Sequence, residues 1–334
     1  MGFDVLIDYR DKGLMRLISN FSVVALLLAV LCQTAIAKED WSKWRTYENK
    51  YFRIHSDAKE KKVLSLLEEL ETFRLVVRKA IKVKVPLNAE KTNVLLFRKK
   101  KEFRTYSWHR NLAGFVTTID SLPIIVMPAS RRGMKSETVI KHEYVHIAQA
   151  YDKKKYPRWW NEGLAEILST VEYHEDIAVV GKANVKRWQY LSREVNYNKL
   201  VKDDYDGLKR RWGADSYAQY WLLAIYSLVH DDGVYRDELG DYIVKYRASG
   251  DSLESFTAAY GRSPDAFAKE AMRNFGRKAY SYKPLLYQLD LAERDLLPVV
   301  NALNVSAVNR YFEVLSNRKE ERKNTAKRKK NSQY

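Results

Sequence analysis

The chain holds one cysteine, Cys32, in 334 residues. It falls inside an apolar N-terminal run, so the sequence beyond it has no thiol to form a disulfide, attack a substrate or bind a metal. Any metal held by the rest of the chain must therefore rest on histidines and carboxylates. Glycine and proline are sparse, at 13 and 7, which leaves few obligatory turn positions and favours helices. Acidic residues also fall short, with 42 Asp and Glu against 59 Lys and Arg for a net charge of +17. Such an imbalance suits an anionic partner. Long apolar runs are missing too. Phe21 to Cys32 is shorter than the ~20 residues that a helix needs to cross a bilayer.

That short run reads as a targeting signal. Arg10, Lys12 and Arg16 precede it, Thr34-Ala35-Ile36-Ala37 supplies a small-residue cleavage site, and Lys38-Glu39-Asp40 turns the chain charged. Residues 1–37 are assigned as a signal peptide, which makes the protein periplasmic or secreted, with no transmembrane segment after cleavage. An uncleaved anchor is the alternative. Met15 offers a second start, since Met15-Arg16-Leu17 onward is a compact signal by itself. Leu31 before Cys32 replaces the small residue of a lipoprotein box.

The remaining pattern is α+β, a small mixed sheet followed by a mostly helical region. Tyr51-Phe52-Arg53-Ile54-His55 alternates as a strand. An amphipathic helix follows, with Asp57 as its N-cap and Val63, Leu66, Leu67, Leu70, Phe73, Val76, Val77 and Ile81 at helical spacing. Asn93–Phe97, Phe115–Thr118 and Ile124–Met127 read as further strands. Pro123 and Pro128 around the last are compatible with a sheet edge, though an internal strand fits equally. Helices are expected over Ser136–Tyr151, Arg158–Val171, Tyr217–Val229, Arg236–Ala248, Ser252–Tyr260 and Pro264–Phe275, with shorter ones within Lys283–Ala302 and Ser306–Leu315.

The chemistry concentrates in two of these helices. His142-Glu143-Tyr144-Val145-His146 places two imidazoles one turn apart on one face, where both can bind one metal ion. Glu143 is offset by one residue and can reach a metal-bound water instead. Alone, the pattern also fits a helix with two ordinary histidines. Arg158-Trp159-Trp160-Asn161-Glu162-Gly163-Leu164-Ala165-Glu166 follows a polar turn, and Glu162 can supply a third ligand, leaving the fourth position open as catalytic zinc sites do. Glu166, one turn on, can accept the second N–H of a ligating histidine.

These two segments, HEYVH and WWNEGLAE, resemble the gluzincin clan of zinc peptidases, and most closely its bacterial peptidase MA-like branch. The resemblance covers about Tyr51 to Phe275 and implies a zincin-like catalytic domain over 38–275. It implies one Zn2+ ion on His142, His146 and Glu162, Glu143 as general base, Glu166 behind the ligands, and a peptide or protein as substrate. The turn from His146 to Glu162 is shorter than in the best-known members. A downstream tyrosine often stabilises the oxyanion in that clan. Tyr217 is the choice here and Tyr220 the alternative. An edge strand before the HExxH helix pairs with extended substrate in such peptidases, a role Ile124–Met127 would fill.

Residues 276–316 read as a C-terminal helical extension and 317–334 as a basic disordered tail, where Arg318, Lys319, Arg322, Lys323, Lys327, Arg328, Lys329 and Lys330 outnumber Glu320 and Glu321. For an exported chain, an anionic envelope surface is expected over nucleic acid; a solvated tail without a partner is the alternative. Two further functional readings stay open. One is a catalytically inactive zincin-like binding protein of the envelope, and the other a basic interaction protein with an incidental HExxH.

Overall fold

A computed structural model describes residues 41–81, 91–108, 112–129, 136–151, 156–182, 185–191, 194–202, 213–275 and 283–331. The signal-peptide assignment and the Met15 start lie outside these residues, as does most of the turn before Pro157. Trp41–Lys43 forms one 3₁₀ turn in a unit separate from the body that begins at Trp44.

The body is α+β, as the sequence predicts. Its first half interleaves strands and helices: β1 (Arg45–Glu48), β2 (Phe52–Ser56), α1 (Glu60–Ile81), β3 (Thr92–Phe97), α2 (Lys100–Tyr106), β4 (Phe115–Ile119) and β5 (Leu122–Pro128). Helices α3 (Ser136–Tyr151) and α4 (Arg158–Leu168) follow, then the hairpin strands β6 (Glu172–His174) and β7 (Ile177–Val180). The rest comprises α5 (Val185–Trp188), α6 (Tyr197–Val201), α7 (Gly213–Val229), α8 (Arg236–Ser249), α9 (Ser252–Tyr260), α10 (Pro264–Phe275), β8 (Leu285–Gln288), β9 (Val299–Ala302) and α11 (Val305–Asn331). Six strands form one mixed sheet in the order β4-β5-β3-β2-β1-β9, with β2, β3 and β5 parallel. Strands β6, β7 and β8 form a second sheet.

The pleat sends alternate residues to opposite faces of the large sheet. Phe52 meets Tyr144 of α3 on one face, with ring centroids 5.5 Å apart. His55, three residues on, meets Tyr311 of α11 on the other at 5.9 Å. Helices α1 and α3 thus cover one face and α11 the other. The apolar stripe of α1 is buried from Val63 to Val77 as its spacing predicts, and Ile81 at its end is half-buried. Asp57 does not cap it; its carboxylate instead accepts the Arg98 backbone N–H at 2.6 Å, tying the start of α1 to the end of β3.

One open choice is decided and two expectations are corrected. Strand β5 is internal, between β4 and β3, and β4 forms the sheet edge. Prolines 123 and 128 sit at the ends of the strand, where a missing N–H costs no interior ladder bond. Among the described residues, 283–302 forms no α-helix, only two strands and the 3₁₀ turn Leu291–Glu293, so the helical extension expected over 276–316 is found only from Val305 on, within α11. Strands β8 and β9 complete the two sheets, and the link between them is clasped to the body. Asn49 donates to both buried Glu71 at 2.8 Å and the Asp295 carbonyl at 2.6 Å, and Arg74 donates to the Glu293 carbonyl at 2.9 Å. Finally, residues 317–331 continue α11 rather than forming a disordered tail. Its buried stripe of Val308, Tyr311, Phe312 and Leu315 is extended at the same spacing by cations that have partners. Arg318 donates to the Thr117 hydroxyl, Lys319 to the Arg104 and Thr105 carbonyls at 2.9 and 2.7 Å, and the Arg322 guanidinium lies 3.9 Å from the Trp108 ring centroid. The Lys319 ammonium thereby sits at the C-terminus of α2, where the helix dipole favours a cation.

Candidate metal centre

Helix α3 carries the HExxH sequence on a scaffold that fixes its rotation. Val139, Ile140, Tyr144, Val145, Ile147 and Ala148 are buried. Buried Lys141 pairs with Glu69 of α1 at 3.1 Å. With the apolar faces committed, His142, Glu143 and His146 share the remaining side.

Helix α4 returns beside α3 and is seated by its own tryptophans. Trp159 is fully buried and donates its indole N–H to the Tyr242 hydroxyl at 2.8 Å. Gly163 allows the close approach of α7. A Cβ there would stand 2.6 Å from both the Ala224 Cβ and the Tyr220 carbonyl oxygen. The glycine between the two carboxylates of NEGLAE is thus what lets α7 come near enough to bring a tyrosine to the site.

The ligand atoms converge. Nε2 of His142 and Nε2 of His146 are 3.2 Å apart, and Oε2 of Glu162 stands 3.4 and 3.5 Å from them. That oxygen is buried without a hydrogen-bond partner. The other ring nitrogens are occupied: Nδ1 of His142 faces Glu166 Oε1 at 3.4 Å, and Nδ1 of His146 faces Gln149 Oε1 at 3.4 Å. With acceptors on both Nδ1 atoms, both rings turn Nε2 lone pairs to one point. The set can hold a metal ion, its ligand atoms all lying within 4.8 Å of one another. Two nitrogens and an orphaned carboxylate oxygen fit a divalent cation. The side chains of His142, His146 and Glu162 keep 14, 25 and 18% of their exposure, so the site is open to solvent.

The electrostatics of the metal-free site follow from crowding. Burial opposes a charge on His142, but Glu162, Glu166 and Glu143 outweigh it and raise the imidazolium pKa to about 9. Burial likewise opposes ionisation of Glu162, and the two imidazoles reverse this, holding it well below the usual carboxylate range. Glu143 titrates above its ordinary value because burial outweighs the two histidines and a hydrogen bond from the Val116 backbone N–H. The last contact places the edge strand β4 directly beside Glu143.

Of the two tyrosines, Tyr217 faces the site. Its ring centroid is 5.8 Å from that of His142. The Glu162 charge, burial and the charges of Glu143 and Glu166 push its hydroxyl pKa up. Tyr220 is 4% exposed and packs in the core. All six residues singled out in the sequence, His142, Glu143, His146, Glu162, Glu166 and Tyr217, thus surround one point.

Three contributors lay outside that selection. Gln149 was legible in principle, three residues beyond His146 on the same helical face. The Val116 backbone carries no side-chain signal. Arg187 forms a bidentate pair with Glu166, Nε to Oε2 at 2.6 Å and Nη2 to Oε1 at 2.5 Å, from a segment with no sequence pattern. No family model and no curated protein matches the chain.

Proposed function

We propose that the protein is an exported zinc peptidase of gluzincin type that hydrolyses peptide bonds at this centre. The observation that carries the reading is the convergence of two Nε2 atoms on the orphaned, buried Oε2 of Glu162. Zinc suits two imidazoles and one carboxylate with an open fourth position, and when bound it would supply an acidified water and polarise the scissile carbonyl.

The chain's own groups divide the remaining work. Glu143 takes the proton of the attacking water and passes it to the leaving amine. Burial raises its pKa and so makes it a readier proton carrier than an exposed carboxylate, and the Val116 N–H fixes one orientation. The Tyr217 hydroxyl, kept protonated by the carboxylates around it, donates to the oxyanion. Glu166 and Gln149 hold the two imidazoles with Nε2 inward. An extended substrate adds to the outer edge of β4, rather than to β5, which puts its backbone alongside α3.

The test is release of new amino termini from an unfolded protein substrate by the zinc-loaded chain. Hydrolysis that a chelator abolishes and added zinc restores is expected. Tyr217→Phe should lower kcat by about 10²-fold with little change in KM, the loss typical of one oxyanion donor. An unchanged kcat would remove Tyr217 from the chemistry.

The exposed end of α11 supports contact with an anionic envelope surface. Lys323 and Arg328 are exposed, and Lys327, Lys329 and Lys330 lie on the same helix with no apolar residue but Ala326 beyond Leu315, so the attraction is electrostatic. The full chain should sediment with vesicles containing an anionic phospholipid and be released by salt at about 0.5 M. Equal sedimentation with neutral vesicles would contradict this contact.

A further inference from the structure

Glu166 is 5% exposed. A carboxylate at that depth is costly to keep ionised without a counter-charge. His142 alone does not supply one, because a metal ligand must present neutral imidazole. The counter-charge comes from Arg187, in the single turn α5 between β7 and α6. Its planar fork takes both carboxylate oxygens, at 2.6 and 2.5 Å. A bidentate pair fixes the carboxylate plane as well as its position. The fixed Oε1 is the same atom that faces Nδ1 of His142 at 3.4 Å. On its other side, the guanidinium carbon lies 5.8 Å from the Tyr217 ring centroid. Arg187 is therefore wedged between the carboxylate behind one ligand and the tyrosine across the site.

We infer that Arg187 is a positioning residue of the metal centre, acting through Glu166 on His142. The inference rests on the metal-site reading above. Held by the fork, Oε1 accepts the Nδ1–H of His142 and keeps Nε2 pointed at Glu162. Charge gives a second reason. Glu143, Glu162 and Glu166 bring three negative charges, which a divalent cation leaves one short of neutral, and the guanidinium supplies that last charge. Without Arg187, Glu166 is a buried carboxylate free to turn away from the imidazole, and the ring loses the acceptor that fixes its tautomer.

Zinc affinity, measured on the full chain by competition with a chromophoric chelator, tests this without any substrate. Arg187→Met is expected to weaken zinc binding by about 10- to 100-fold, the usual worth of an outer partner of a metal ligand. Arg187→Lys, which keeps the charge and loses the fork, should fall between the variant and the wild type. The decisive comparison is Glu166→Gln with and without Arg187→Met. If Arg187 works through Glu166, the double variant binds zinc no more weakly than Glu166→Gln alone. Losses that add, or an Arg187→Met protein that folds and binds zinc as the wild type does, would overturn the role. Should Arg187→Met fail to fold, Arg187→Lys in the two Glu166 backgrounds makes the same comparison. A wild type that takes no zinc contradicts the site itself, whereas zinc binding with additive losses contradicts Arg187 alone.

Discussion

Glu143→Gln should retain zinc and lose about 10²- to 10⁴-fold in kcat, the range that a positioned general base contributes. The amide matches the carboxylate in size and can still accept the Val116 N–H, so the fold and the metal ligands are undisturbed. What it lacks is the capacity to take a proton. The carboxylate is well placed for that task, because burial raises its pKa while two neighbouring imidazoles keep it from rising without limit. Zinc content and kcat measured on the same preparation check the prediction. A metal-replete Glu143→Gln protein with full activity would rule out the mechanism.

Glu162→Ala should weaken zinc binding by more than the roughly 100-fold that an outer-shell partner can cost, since it removes one of three direct ligands. It should also change how affinity depends on pH. In the metal-free wild type the carboxylates hold His142 protonated up to about pH 9. A ligating imidazole must be neutral, so zinc displaces that proton. Wild-type affinity should therefore climb by about tenfold per unit between pH 6 and 8, still below the point where His142 loses its proton unaided. Glu162 is the leading group that raises this pKa. Its removal lets His142 deprotonate at lower pH, so the variant should bind weakly and with a shallower slope. Chelator competition at several pH values reads both effects. A variant that keeps both the affinity and the slope would place the metal elsewhere.

The legible parts of this molecule were those in which local pattern and tertiary demand agree. The HExxH helix is bounded by the same residues in sequence and structure, Ser136 and Tyr151, because its apolar positions and its ligands divide cleanly between two faces. The two carboxylates of NEGLAE were legible for the same reason, one helical turn apart on α4. The edge of the sheet was not. Nothing local to Ile124–Met127 or Phe115–Ile119 says which one pairs on both sides, and the parallel β3–β5 pairing is decided by a crossover through α2 and β4. The C-terminal segment misled for a similar reason. Leu285–Gln288 and Val299–Ala302 find strand partners in β7 and β1, more than a hundred residues away in sequence. The basic end of α11 lacks apolar periodicity, and the partners that order Arg318, Lys319 and Arg322 belong to the distant α2–β4 region. Arg187 shows the same limit within the site. Its carboxylate partner is 21 residues back and marked by no motif.

The central claim is tested most directly by elemental analysis of the purified chain after zinc is supplied and excess removed. One zinc per chain is expected, held by His142, His146 and Glu162. A chain that retains no zinc under those conditions would contradict it, and the convergence of the two imidazoles on Glu162 would then be a cluster of paired charges without a catalytic metal.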